Sequence, residues 1–255
     1  MPQPIVIRET ILSSKWKPLS IVTNFPKSHS SIILDYDDTI FPLSWLKENG
    51  IIDVYTRPPP HVLEICKKVA ETVDTLITEA QKHADVVIIT NADEGWVQES
   101  CAMFMPSIYM LITSLKIISA QTRYKYISSL PGEWKRFAFR QYIADLYKYE
   151  NTDTISVLSI GDGPAEQYAV HNLCDTLQGK IKTKSLKFME KSDPELLIRQ
   201  LELTTTNIPV FVKFPASLYI KIGFDDLPQD PVIPKVPSNE SMKSQDEVKS
   251  LMEGV

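Results

Sequence analysis

Three carboxylates fall within four positions in Leu34-Asp35-Tyr36-Asp37-Asp38-Thr39-Ile40, directly after the apolar run Ser31-Ile-Ile-Leu34. If that run is a strand, its C-terminal end carries mutually repelling charge at the edge where open α/β sheets bind ligands. A divalent hard cation relieves the repulsion, because it prefers oxygen ligands and stabilises ionised carboxylates. Side chains alternate along extended chain, so Asp35 and Asp37 share one side while Tyr36 and Asp38 point elsewhere. That spacing suits a nucleophile and a separate general acid/base, two roles that call for differently tuned surroundings. The plainer alternative is an acidic turn in which Asp37 or Asp38 caps the next segment.

Two further segments end in reactive types. Val86-Val-Ile-Ile-Thr90 is followed by Asn91, then by Asp93 and Glu94, which are expected in the first turn of a helix beginning near Ala92. A hydroxyl and unpaired backbone N–H groups then face one rim, although a threonine after a strand also serves as a plain helix cap. The run Ile155 to Ile160 ends in Gly161-Asp162-Gly163-Pro164-Ala165-Glu166. With only 8 glycines in the chain, two flanking an aspartate at a strand end point to a tight turn with close approach to a ligand. Asp162 would bring a second metal carboxylate, and Glu166 either reaches the same site or begins its helix. The four histidines, His29, His61, His83 and His171, are scattered, and no HExxH, GxSxG or P-loop motif occurs.

Such residues need a framework, and the composition allows one. A chain of 255 residues with 43% hydrophobic and 23% charged residues is an ordinary globular sequence. The net charge of −5 argues against binding a nucleic-acid backbone. No export signal and no apolar window of about 18 residues is present, so no membrane span is expected. Cys66, Cys101 and Cys174 are widely spaced and read as reduced thiols of a cytoplasmic or nuclear protein.

Short apolar runs alternate with helical periods, the pattern of an α/β protein with a mainly parallel sheet. Strands are expected at Ser31–Leu34, Val86–Ile89, Lys116–Ser119, Ile155–Ile160 and Ser185–Met189. Helices are expected at about His61–His83, from Ala92, at Glu133–Tyr147, from Ala165 and from Asp193. Residues 208–222 read as one or two further strands interrupted by Pro215. These elements define an N-terminal extension, 1–30, and one domain, 31–224. Residues 225–255 read as a disordered tail in which Pro228, Pro231, Pro234 and Pro237 recur every third residue. That spacing suits a stiff spacer or a polyproline II docking peptide for a partner domain.

DYDDT at Asp35–Thr39, VVIIT at Val86–Thr90, a lysine before the fourth strand and GDGPAE at Gly161–Glu166, in that order, resemble the four motifs of the haloacid dehalogenase superfamily. The resemblance covers about residues 30–190 and implies a three-layer α/β/α Rossmann-like fold. It also implies a magnesium-dependent phosphatase: Asp35 as nucleophile, Asp37 as acid/base, Thr90 with Asn91 and a lysine on the phosphoryl group, and Mg2+ on Asp35, Asp162 and the Asp37 carbonyl. Lys135, early in the helix before the fourth strand, best fits the lysine, with Lys125 and Arg136 as competitors. Many relatives carry a second aspartate where this chain has Glu166.

Members of the superfamily often select substrates through inserted caps. Between Thr39 and Val86 there is room for a loop and one helix, and only a small insertion fits at Ala120–Pro131, so the expected cap is minimal and the site open to a phosphoprotein or a phosphometabolite. Phe41, Pro42, Trp45 and Leu46 read either as a small apolar wall or as core. The alternatives are a non-catalytic scaffold of the same fold, which has no chemical need for the Asp35–Asp37 pair, and a phosphotransferase.

Overall fold

The computed structural model describes residues 25–51, 55–148, 154–173 and 180–227. Six strands form one sheet: β1 (Ser30–Leu34), β2 (Asp85–Thr90), β3 (Lys116–Ser119), β4 (Ile155–Gly161), β5 (Ile181–Lys187) and β6 (Leu218–Lys221). All pairings are parallel, in the order β3-β2-β1-β4-β5-β6. This is the strand order of the Rossmann-like folds, whose ligands sit where the order reverses, here between β1 and β4.

The continuous apolar run of β1 is explained by burial on both faces. Ile33 joins Val87, Ile89 and Val157 in one core layer, and Ile32 and Leu34 join Ile88, Leu158 and Ile160 in the other. The period of two thus sends neighbouring residues into separate cores. Each fully buried aliphatic side chain contributes about 1.5–3 kcal/mol.

Helices cover both faces. On one side lie α1 (Leu43–Glu48), α2 (Pro60–His83), α3 (Trp96–Phe104) and α4 (Tyr109–Ser114), with α8 (Pro194–Lys213) against α2. On the other lie α5 (Ala120–Tyr124), α6 (Pro131–Leu146) and α7 (Pro164–Asn172). In α2, Pro60 occupies the first turn, where a missing N–H costs nothing, and Val62, Cys66, Val69, Val73, Leu76, Ile77 and Ala80 form the buried stripe. Asp193 caps α8 by accepting from the Leu196 amide at 2.8 Å.

Three expectations are corrected. Residues 208–213 are the last turns of α8, not a strand: Ile208, Phe211 and Val212 continue the buried stripe of Leu197, Leu201 and Thr204. Only Leu218–Lys221 is strand, and the helix carries Pro209 in its interior. The helix after β2 begins at Trp96, behind a left-handed Gly95 (φ 95°), so Asp93 and Glu94 lie in the preceding loop. The fifth strand is Ile181–Lys187, four residues earlier at its start than expected.

Most of the N-terminal extension, Cys174 and the proline-spaced tail lie outside the described residues. Cys66 and Cys101 are buried free thiols, whose pKa burial pushes up to about 12. No helix among the described residues is long and apolar enough to cross a membrane.

Candidate functional site

The backbone leaving β1 stays beside β4: the Asp35 amide donates to the Ile160 carbonyl at 2.9 Å. The chain then folds into a tight loop. Asp38 N–H donates to Phe41 O at 2.7 Å, and Ile40 and Phe41 both donate to Tyr36 O at 2.9 Å. Asp38 sits at φ 55°, a conformation aspartate tolerates better than most residues. Its carboxylate accepts from Ser44 N at 2.7 Å and Ser44 Oγ at 2.6 Å, so it secures the start of α1, as the plainer reading allowed for Asp38. Tyr36 points away from the rim, stacked on Phe41 with ring centroids 5.3 Å apart, and Phe41 and Leu46 belong to the core.

Alternation leaves Asp35 and Asp37 at the rim. Asp35 is buried, and its Oδ1 lies 2.7 Å from Lys135 Nζ. Lys135 comes from the second turn of α6 and is 3% exposed, so it is not one of the solvated charges of that helix. Its ammonium also donates to Glu166 Oε1 from the first turn of α7. The competitors are engaged elsewhere: Lys125 faces Asp93 at 3.7 Å, and Arg136 Nε donates to Glu133 at 2.8 Å.

One ammonium thus serves two buried carboxylates. Burial pushes Asp35 well above the usual carboxylate range, with Glu166 adding to the push, and Lys135 only partly offsets it. Glu166 is held below its ordinary value by Lys135 despite its burial. Lys135 is itself held above the usual lysine value by Asp35 and Glu166, against the opposing effect of burial. Burial also raises Asp37 and Asp162 to about 6. The cluster is short of positive charge.

Asp162 follows β4. Its amide donates to Thr39 Oγ1 at 3.1 Å, and its carbonyl accepts from Lys187 Nζ at 2.5 Å. The two glycines around it have a visible cause. A Cβ on Gly161 would overlap the Glu166 side chain, and one on Gly163 would sit 2.9 Å from Glu166 Oε2. Both are needed to let Glu166 fold back toward Lys135. Glu166 Oε2 is buried without a hydrogen-bond partner.

Thr90 is buried at the end of β2, and its Oγ1 accepts from the Ala92 amide at 3.0 Å; it closes a turn rather than capping a helix, since α3 starts six residues on. The hydroxyl hydrogen remains to donate. Asn91 Nδ2 donates to Pro131 O at 3.1 Å, tying the β2 loop to the start of α6, while its Oδ1 is buried and unpartnered.

Sequence reasoning missed Thr39, Lys187 and Trp96. The indole N–H of Trp96 donates to Asp37 Oδ1 at 2.9 Å. Nothing in the spacing of these residues signals those contacts, which join segments 59 and 123 positions apart in the cases of Trp96 and Thr39.

The oxygen donors expected to hold magnesium, the Asp35 and Asp162 carboxylates and the Asp37 carbonyl, are hard ligands in a charge-deficient site, which fits that ion. Among the described residues no three side chains of His, Cys, Asp or Glu form a ready ligand cluster; the expected set uses only two. Comparison with family models and with curated proteins returns no match for this chain.

Proposed function

We propose that this protein is a magnesium-dependent phosphomonoesterase acting through an aspartyl-phosphate on Asp35. The observation that carries the reading is the buried Asp35–Lys135 pair at the C-terminal end of β1, beside β4, where the strand order reverses. A lysine can donate three hydrogen bonds. Two of them go to Asp35 and Glu166, which leaves one for an oxygen of an incoming phosphate.

The chemistry then follows from the side chains. An Asp35 oxygen bonds to phosphorus in line with the departing alcohol, and the breaking P–O bond leaves its electron pair on the leaving oxygen. Asp37 gives that oxygen a proton, then recovers one from the water that cleaves the acyl phosphate. The Thr90 hydroxyl, Asn91 and Lys135 face the equatorial oxygens, where charge builds up. Asp35, Asp162 and the Asp37 carbonyl would hold magnesium, which would supply further charge neutralisation.

Between β1 and α2 the described residues contain no element larger than the six-residue α1, and α5 with a short loop fills Ala120–Leu130. An open rim of this kind suits a bulky substrate, a phosphoprotein among them. Release of phosphate from a generic aryl phosphate, assayed with and without magnesium, tests the reading. Activity is expected only with the ion and is abolished in Asp35→Asn. Full activity in that variant overturns the assignment, and a phosphopeptide and phosphometabolite panel then separates the substrate classes.

A further inference from the structure

Asp37 is held by a residue from another element. Trp96 opens α3, directly after the left-handed Gly95, and its Nε1 donates to Asp37 Oδ1 at 2.9 Å. The indole is braced on one further side, and the Trp96 backbone is tied separately. Phe41 meets the indole edge to face at 81° with ring centroids 6.1 Å apart. Ser100 Oγ donates to the Trp96 carbonyl at 2.6 Å and lies 3.0 Å from the Tyr36 hydroxyl. Tyr36 lies between Asp35 and Asp37 in sequence, so two threads tie the start of α3 to the acidic loop: Tyr36–Ser100–Trp96 and Trp96–Asp37.

An indole N–H donates and never accepts. Oδ1 of Asp37 therefore receives a hydrogen bond whether the carboxyl is ionised or neutral, and the transferable proton resides on Oδ2. We propose that Trp96 is a positioning residue for the acid/base: its N–H locks the Asp37 rotamer and directs the proton to the oxygen that faces the leaving group. In the transfer, the Oδ2 proton passes to the leaving oxygen as the P–O bond breaks and Asp35 bonds to phosphorus, leaving Asp37 as a carboxylate with Oδ1 still bound to the indole. This inference rests on the phosphatase reading above.

The need for a general acid grows as the leaving alcohol becomes a poorer leaving group, which supplies a readout that a merely structural role does not move. The variants are Trp96→Phe and replacement of Trp96 by β-(3-benzothienyl)alanine, which keeps the bicyclic shape and lacks the N–H. In each, kcat/KM is measured on para-nitrophenyl, phenyl and alkyl phosphates. In the isosteric variant it is expected to stay within about twofold of wild type on the nitrophenyl ester and to fall about tenfold or more on the alkyl ester. Asp37→Asn combined with the isostere is expected to be no slower than Asp37→Asn alone, since both act through one group. Equal losses on all three esters, or independent losses in the double variant, overturn the role of Trp96 while leaving the phosphatase reading standing. A wild-type protein that hydrolyses none of the esters overturns both.

Discussion

Among the described residues Lys135 and Lys184 are the most deeply buried lysines, and they meet opposite fates. Lys135 lies at the rim between two carboxylates, Asp35 and Glu166, and these partners hold its pKa above the usual lysine value against the effect of burial. Lys184 lies in the middle of β5, and among the described residues no acid pairs with it. Its ammonium donates to Ser156 Oγ at 2.5 Å and Val212 O at 2.9 Å and sits 4.8 Å from the Phe25 ring centroid. Burial and nearby Lys182 depress it to about 7. Equal burial therefore decides nothing by itself; the charge of the partners decides. A charge that stays on its side chain at any working pH is useful for holding an anion, and Lys135 carries one beside Asp35.

The largest effect should come from breaking the paired lysine. Lys135→Met leaves Asp35 and Glu166 as buried carboxylates without a counter-charge, and urea unfolding is expected to show a loss of about 3–5 kcal/mol, with phosphate release at background.

Lys184→Met should do the reverse. Ser156 Oγ donates to Val212 O at 2.8 Å on its own, so no carbonyl is orphaned by the change. The sign follows from the depressed value: between about 7 and the ordinary 10.5 the unfolded chain holds the Lys184 proton and the folded one releases it. Wild-type stability therefore gains from this group as pH rises through that window and loses the gain as pH falls through about 7. The variant is expected to be more stable than wild type near pH 6 to 7, with the difference shrinking toward about pH 10 in parallel denaturant titrations. A difference independent of pH would show that Lys184 is not buried as an ammonium.

The smallest effect belongs to a third cation, Arg136, one residue beyond Lys135. It pairs with Glu133 across one turn of α6 in a half-buried position. Arg136→Ala is expected to change stability by less than about 1 kcal/mol and to leave kcat unchanged. A large loss of activity there would move the phosphate-binding role away from Lys135.

Much of the framework was legible because buried parallel strands must be apolar on both faces, and Ser31–Leu34, Val86–Ile89 and Ile155–Ile160 carry that signature. Residues 208–213 were misread because Ile208-Pro-Val-Phe-Val-Lys213 is β-branched and contains Pro209, both local signals against a helix. Packing of Ile208, Phe211 and Val212 overrode them. The boundary before α3 was placed too early for a related reason: Ala92-Asp93-Glu94 looks like a first turn, and only the left-handed Gly95 shows that the helix waits for Trp96.

The candidate site divides in the same way. The types and spacings of Asp35, Asp37, Thr90 and Asp162 followed from the chain alone, since residues at the ends of successive strands gather at one sheet edge whatever their partners. The sequence also favoured Lys135 over Lys125 and Arg136, but what Lys135 pairs with is a matter of packing. Lys125 ends α5, whereas Lys135 and Arg136 are neighbours in α6; a helix turns by a fraction of a revolution per residue, so docking of α6 on the sheet determines which of those two is driven inward. Glu166 against Lys135, the glycines that make room for it, and Trp96 on Asp37 are likewise products of the fold. By itself the sequence determined which functional groups sit at the ends of strands, because alternation and burial are local constraints. Tertiary structure alone decided which of them are paired, because a charge partner is a property of packing between elements distant in the chain.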